Sequence, residues 1–486
     1  MKRIFIAILA LLMLLPLCAC GNSKLSVEET KTAEKTVETK AEKNEKKEDG
    51  KIVYPEGFSV GYARVDITPR EALPIFEGTG NSAHDPLQIT VTALCDGTDA
   101  ALLVSVDVRG IRVNISETCH RLIEKSVGIP AERVLLNATH THAAPAPGFD
   151  LESPSKMWVE TTFYKQLLVG VKEALRDLTP AEAYVGVSHT EGITFVRRYL
   201  KANGKYSTNP STSDEPIAHE SEADNEMRTV RFEREGKKDV LMVNYQTHYG
   251  DSPARYPDQY SADFVHTFRE AAEKELDCLF TYHSGASGNL NFSGKLKGEK
   301  KYENFVEATK GLMLTAKDAI AKEEKAETGP IRSASSKYVA NTIQDSEERY
   351  NHAVEVNTAR GAGKSFTELL HKYDFVSKYQ ATAVIMRKGL GEHPEIPFTA
   401  ISCGDIAFVS APYEMFDTNG QEVRAASPFK STFICSLTNG SFGYVPSALA
   451  VPHGSYEVII TYFEYGSAEK FAQEMVRLLN ECKNAE

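Results

Sequence analysis

The stretch LLNATHTHAAPAPG, residues 135–148, sets two histidines two positions apart at the end of an apolar run, then breaks into a proline-rich loop closed by glycine. Read as a strand end, the spacing puts His140 and His142 on one face and Thr139 and Thr141 on the other. Paired imidazoles there can hold a metal, shuttle protons or hydrogen-bond a neighbouring loop. Further apolar runs deliver reactive groups in the same way. LMVNYQTHYGDSP leads to His248, and CLFTYHSGASGNLN passes into a glycine-rich turn carrying Ser284, Ser287, Asn289 and Asn291. IAFVSAPYEMF delivers Glu414, and GSFGYVPS places Tyr444 in a turn with Gly443 and Pro446. Catalytic groups favour such positions because a rigid scaffold aims them.

Plainer readings stand beside each of these. Lone histidines such as His120, His189 and His371 suit surface or satisfied core sites, and a glutamate ahead of a helix suits the helix dipole. The glycine-rich turn lacks GKS or GKT and is not a phosphate-binding loop. Imidazole plus carboxylate is a donor set that borderline metals prefer, so spacing alone leaves a site on His140 and His248 open.

The elements that must position these groups alternate along the chain. FSVGYARVDITP reads as a strand stopped by Pro69, and LQITVTALCDG and AALLVSVDVRG as neighbouring strands across a glycine-containing turn. SETCHRLIEKSVGIP predicts a helix with Ser116 as its N-cap and Gly128 and Pro130 at its end. RVLLNATHTH predicts another strand. Helices are expected at about 160–178, 261–276, 302–322 and along AEKFAQEMVRLLNEC; strands are expected at 239–246, 278–283 and 405–411. The pattern implies an α/β protein, with mixed β-sheets flanked by helices, as a single large domain over residues 51–486.

Both ends of the argument about location come from the first fifty residues. Lys2 and Arg3 precede an apolar run too short and badly flanked for a membrane span, which closes on Leu17-Cys18-Ala19-Cys20-Gly21. Residues 1–20 therefore read as a lipoprotein signal peptide, with Cys20 as the lipidated residue and the product tethered to the extracytoplasmic face of a bacterial membrane. Residues 21–50 carry eight acidic and seven Lys side chains and almost no large apolar ones, and read as a disordered charged tether. Residues 51–486 hold 46 Lys+Arg against 59 Asp+Glu, a net charge of −13. Such an acidic balance argues against a nucleic-acid partner and offers no basic footprint for anionic lipid. The six remaining cysteines (Cys95, Cys119, Cys278, Cys403, Cys435 and Cys482) have no CxxC spacing.

Together, the motifs VGYARVDITP, SVDVRGI, LLNATHTHAAPAPG, FVRRY, NYQTHYGDSP with YSADF, SGASGNLN, APYEMF and FGYVPS with SYE resemble, in order, the catalytic domain of neutral (alkaline) ceramidases. The resemblance runs over nearly the whole chain after residue 55. It implies one catalytic zinc per chain held by His140, His248, Glu414 and Tyr444. It also implies that His142, Arg197 (rather than its neighbour Arg198) and Tyr456 sit beside the scissile carbonyl. On this reading His140 binds metal and His142 acts on substrate, so the two are not both ligands.

Two departures accompany the resemblance. The family's loop serine falls on Asn291, and the chain ends soon after the last motif, so the family's C-terminal β-sandwich is expected to be missing. Asn291 can orient substrate or water but cannot become an alkoxide, which makes a metal-activated water the simpler nucleophile. Asp263 reads either as a support for a ligand histidine or as a helix cap. Three functions fit: a zinc-dependent hydrolase of an N-acyl lipid such as ceramide, a metal-dependent amidase or esterase on a smaller acyl substrate, and a non-catalytic surface lipoprotein that captures a ligand.

Overall fold

The structure is a computed structural model that describes residues 52–76, 78–148, 155–248, 258–302 and 304–485. The leader with Cys20 and the charged tether lie outside the described residues. No helix among the described residues is long and apolar enough to cross a membrane.

Strands that read as unbroken apolar runs are buried on both faces, as the middle of a layered α/β structure requires. Ala100–Val106, Val134–Ala138 and Val240–Tyr245 are buried at every position. They belong to the larger sheet, ordered Leu279–Ser284, Val240–Tyr245, Glu226–Arg234, Thr179–His189, Ser59–Asp66, Gln88–Cys95, Ala100–Val106, Val134–Ala138, with Glu324–Ala326 paired to Thr179–His189. Both ends of this order are parallel pairs, while its middle is antiparallel. A second sheet orders Ile331–Val339, Glu395–Cys403, Ile406–Ala411 and Ser431–Ser436, the last two parallel.

Strand alternation sorts the side chains into layers. Val240 and Met242 join Leu103, Leu135, Phe408 and Phe433 in a core shared by the two sheets. Their neighbours Leu241 and Val243 face outward against helices Phe264–Leu276 and Phe305–Ala321. On the far side, Phe398, Ala400 and Ile434 pack under the closing helix Ser467–Asn484. The order is helix, sheet, sheet, helix, in one compact unit. The six cysteines are free and buried in it.

Two local expectations need correction. The helix after the third large-sheet strand runs Val113–Val127 and is N-capped by Arg112, so Ser116 lies inside it with its hydroxyl buried and unpartnered. Burial of Ile115, one turn ahead of Cys119, extends the apolar face N-terminally and carries the helix past the expected cap. The second correction concerns the histidine strand. It ends at Ala138, and His140 has φ +72°, so strand alternation does not bring His140 and His142 together. A turn does so instead.

An insertion of three helices, Glu347–Gly361, Thr367–Lys372 and Lys378–Leu390, separates two strands of the smaller sheet and has its own small core around Val356, Phe375 and Val384. The sequence pattern gave no expectation for it.

Candidate active site

The parallel strands of both sheets deliver their C-terminal ends to one place, and three buried asparagines tie those ends together. Asn137 Nδ2 donates to Ser436 O (2.6 Å) and Thr438 Oγ1 (2.8 Å), while its Oδ1 accepts from Ser284 N at 3.1 Å. Asn244 Nδ2 donates to His283 O and Ile434 O, both at 2.8 Å. Asn439 accepts from Leu136 N (2.8 Å) and donates to Val134 O (3.0 Å). Inter-sheet bonds of this kind, fully buried, fix the register of one sheet on the other.

His140 follows the strand end with its own N donating to Val108 O (3.0 Å) and its Nδ1 2.6 Å from Arg109 O. That contact makes Nδ1 the protonated nitrogen and turns the Nε2 lone pair inward. His140 Nε2 lies 3.3 Å from His142 Nε2 and 3.5 Å from Glu414 Oε2, and Glu414 Oε2 lies 3.9 Å from His248 Nδ1. The ring nitrogens of His140, His142 and His248 fall within 4.8 Å of one another. Tyr444 joins by a two-residue parallel bridge to Glu414 and by a hydrogen bond to its carboxylate.

The cluster fits a divalent cation. His248 Nδ1 and Glu414 Oε2 are buried atoms without a hydrogen-bond partner. Two acceptors facing each other in a dry place are poorly arranged unless a cation lies between them. Ligand bonds of about 2.0–2.2 Å in a tetrahedral site put neighbouring donor atoms about 3.3–3.6 Å apart, close to the spacings around His140. His142 has that spacing as well, so distance alone does not separate it from the ligand set.

Electrostatics prepare the same groups. Burial first, then the neighbouring His140, Arg109 and Arg197, holds His142 far below the usual imidazole range; burial and Arg197 do the same to His248. Both rings are therefore neutral and able to offer lone pairs. Burial also drives the Tyr444 phenol well above its ordinary value, with Arg197 pulling the other way, and raises Tyr456, with Glu414 adding to the effect. Arg197 Cζ stands 5.2 Å from the Tyr444 ring centre. Its Nε donates to Glu457 Oε1 and its Nη2 to Gly288 O, both at 2.8 Å. Arg198 points elsewhere, bonding Glu220 through two nitrogens at 2.7 and 2.9 Å and Glu457 Oε2 at 2.7 Å.

A cavity of about 480 Å³ opens in front of this group, lined by His140, His142, Glu414, Tyr444 and Tyr456. His248, Arg197 and Asn291 do not line it. Asn291 Nδ2 is engaged with Asn209 Oδ1 at 2.7 Å, on the short strand paired with Phe195–Val196. The glycine-rich turn supports Glu414 from below: Gly288 N donates to Met415 O at 2.7 Å, and a Cβ at Gly288 would lie 2.6 Å from Glu414 O. Asp263 caps helix Phe264–Leu276, accepting from Phe264 N at 3.0 Å. Three lining groups carried no strand-end signal in the sequence: Phe76, whose ring centre is 4.6 Å from that of His142; Arg109; and Tyr379 of the helical insertion.

No pattern of a known protein family matches the sequence, and no curated protein matches it. Solved structures do. Neutral ceramidase from Pseudomonas aeruginosa superposes with a TM-score of 0.66 at 15% identity, covering 88% of this chain and 75% of that one. A ceramidase complexed with C2 gives a TM-score of 0.63 at 14% identity, over 87% and 75% of the two chains. At such identity the likeness is one of fold. The described chain has a neutral ceramidase-like fold, with the histidine cluster at its strand ends.

Proposed function

We infer that this protein is a metal-dependent hydrolase of ceramidase type, cleaving an N-acyl amide to an amine and a carboxylic acid. The observation that carries the reading is the meeting of three imidazoles and one carboxylate, with His140, His142 and Glu414 lining a cavity and His248 Nδ1 and Glu414 Oε2 buried without a hydrogen-bond partner. His140, His248, Glu414 and Tyr444 would hold zinc. The ion, when bound, supplies Lewis acidity that polarises a carbonyl and makes water acidic near neutral pH.

The chain's own groups divide the remaining work. Tyr456 Oη, kept protonated by burial and by Glu414, can donate to the developing oxyanion, a contribution of about 3–4 kcal/mol for such a donor. His142, kept neutral, can accept a proton at Nε2 and pass it to the departing amine. Arg197 stands behind Tyr444 and holds its phenolic oxygen in place. The bond between Asn291 and Asn209 suits Asn291 to holding its loop. Lipidation at Cys20 would place this chemistry at the outer face of a bacterial membrane.

The test is metal content and turnover of the purified full chain beside His140→Ala and Glu414→Ala. The expected result is about one zinc per wild-type chain, lost in both variants, together with zinc-dependent release of fatty acid from N-acyl amides. Absence of metal uptake after zinc is added back, with no release of fatty acid, refutes the reading.

A further inference from the structure

The glycine-rich turn after strand Leu279–Ser284 and the helix that follows Glu414 are joined by a buried pair that the chemistry above does not use. Asn289 and Asp417 are 1% and 0% exposed. Asn289 Nδ2 donates to Asp417 Oδ1 at 2.7 Å, and Asp417 N donates back to Asn289 Oδ1 at 3.0 Å. A single bond would let the two segments swivel; the reciprocal pair fixes both their separation and their rotation. An amide suits position 289 because Asp417 presents a carboxylate oxygen and a backbone N–H side by side, and asparagine offers the matching donor and acceptor. Burial pushes the Asp417 carboxyl up to about 6, although Asn289 and the backbone nitrogens of Asp224 and Thr418 donate to it. Gly420, one turn into helix Asp417–Ala426, lets that helix approach so closely that a Cβ there would lie 2.7 Å from Ala286 Cβ.

The same turn reaches three other members of the site. The His248 ring is hydrogen-bonded to the Ser287 backbone. Gly288 N donates to the carbonyl of Met415, next to Glu414, at 2.7 Å. Arg197, which backs Tyr444, donates through Nη2 to Gly288 O and through its backbone N to Asn289 O, both at 2.8 Å. Three consecutive residues thus lie against the separate segments that carry His248, Glu414 and Arg197. A metal site needs such a brace, because ligand bonds hold only within about 0.2 Å of their preferred lengths.

We propose that Asn289 and Asp417 are positioning residues of the metal site, a clasp that sets Glu414 against His248 through the turn touching both segments. The role rests on the reading of the cluster as a metal site. Neither residue lines the cavity, so each acts through the ligands and not on the substrate. Asn289→Asp keeps the shape of the clasp and turns its donor into an acceptor facing the Asp417 carboxylate, while Asn289→Ala removes the side-chain half altogether.

The test measures zinc affinity of the purified full chain by chelator competition, the urea midpoint of the metal-free chain, and octanoate release from N-octanoylethanolamine. Asn289→Ala and Asn289→Asp should each weaken zinc binding about ten- to a hundredfold. Adding Asp417→Asn to Asn289→Asp sets a donor against an acceptor again and should recover most of that loss. Asn289→Ala keeps the test valid if Asn289→Asp does not fold. A clasp that only stabilises the fold would lower the urea midpoint and leave zinc affinity alone. Zinc affinity within about threefold of wild type in the single variants, or a loss that the double variant does not recover, overturns the proposal and leaves the hydrolase reading standing. A wild-type chain that takes up no zinc overturns both. The expected pattern of zinc affinities without release of octanoate supports the clasp and counts against the hydrolase reading instead.

Discussion

Replacing Glu457 by glutamine tests whether the site is held from beneath by a buried ion-pair bridge. Glu457 is wholly buried. Its Oε1 accepts from Arg197 Nε at 2.8 Å, and its Oε2 accepts from Arg198 Nη1 at 2.7 Å and Thr208 Oγ1 at 2.6 Å. Burial alone would raise its pKa, but the two guanidinium groups outweigh burial and hold it below the ordinary carboxylate value. Glutamine keeps the shape, removes the charge and turns one acceptor into a donor aimed at a guanidinium. Arg198 retains its two bonds to Glu220, while Arg197 keeps Gly288 O, Tyr444 and the more distant charge of Glu414 but loses its hydrogen-bonded carboxylate.

Breaking one partner out of a buried pair costs about 3–5 kcal/mol. With Arg198 still paired, about 3 kcal/mol is expected from Glu457→Gln, read as a lowered urea midpoint with an unchanged slope. The wild type has a built-in control. A carboxylate with a depressed folded pKa adds stability above its unfolded pKa of about 4.3 and loses it as pH falls through the folded value. The gap between wild type and Glu457→Gln should therefore narrow in acid. A loss below about 1 kcal/mol near neutral pH, or a gap that does not narrow, refutes the view that Glu457 anchors Arg197.

Three other perturbations bear on the cluster and its frame. His142→Ala should keep its metal by elemental analysis while turnover falls about 10²–10⁴-fold; loss of the metal would make His142 a ligand and overturn the division between it and His140. Gly288→Ala forces a Cβ to within 2.6 Å of Glu414 O, and the backbone shift should weaken zinc binding about ten- to a hundredfold in a chelator competition; unchanged affinity would show that the turn does not position Glu414. Away from the cluster, burial lowers His283 to about 3 and His120 to about 4. Both stay neutral in the fold and gain protons on unfolding below the ordinary value of about 6.5, so stability should fall as pH drops through that value, by about 2 kcal/mol per histidine at about pH 5. His283→Gln should flatten this slope in denaturation curves, and an unchanged slope would refute the assignment.

Much of this frame could be read from the chain because its strands are buried on both faces. The unbroken run AALLVSV and the alternation in FSVGYARVD state their burial directly, and they form strands Ala100–Val106 and Ser59–Asp66. Residues that end such runs, His248 and Glu414 among them, were visible as candidates because a strand must finish somewhere and its end is aimed. The helical insertion was hidden for the opposite reason. Glu347–Gly361 buries two residues, Lys378–Leu390 four and Thr367–Lys372 none, and their apolar side chains pack on one another in a separate small core, so Glu347–Gly361 shows little of an apolar stripe. Phe76, Arg109 and Tyr379 are defined by what they face across the cavity, which no local spacing records.

The histidine pair shows most clearly where local pattern and structure part company. Alternation would put His140 and His142 two strand residues apart on one face, with roughly 6–7 Å between their Cα atoms, so their side chains would have to converge to share one small ion. The chain instead stops the strand at Ala138 and holds His140 at φ +72°, a conformation that costs a non-glycine residue about 1–3 kcal/mol. In return His140 N reaches Val108 O, its Nδ1 reaches Arg109 O, and its Nε2 comes within 3.3 Å of His142 Nε2. Strain of this kind persists only where surrounding bonds over-determine it. The carbonyls of Val108 and Arg109 are those bonds, and Arg109 then turns its side chain into the cavity wall. One short segment thus sets the tautomer of His140 and places Arg109 at the cavity, which couples the geometry of the cluster to that of the pocket in front of it.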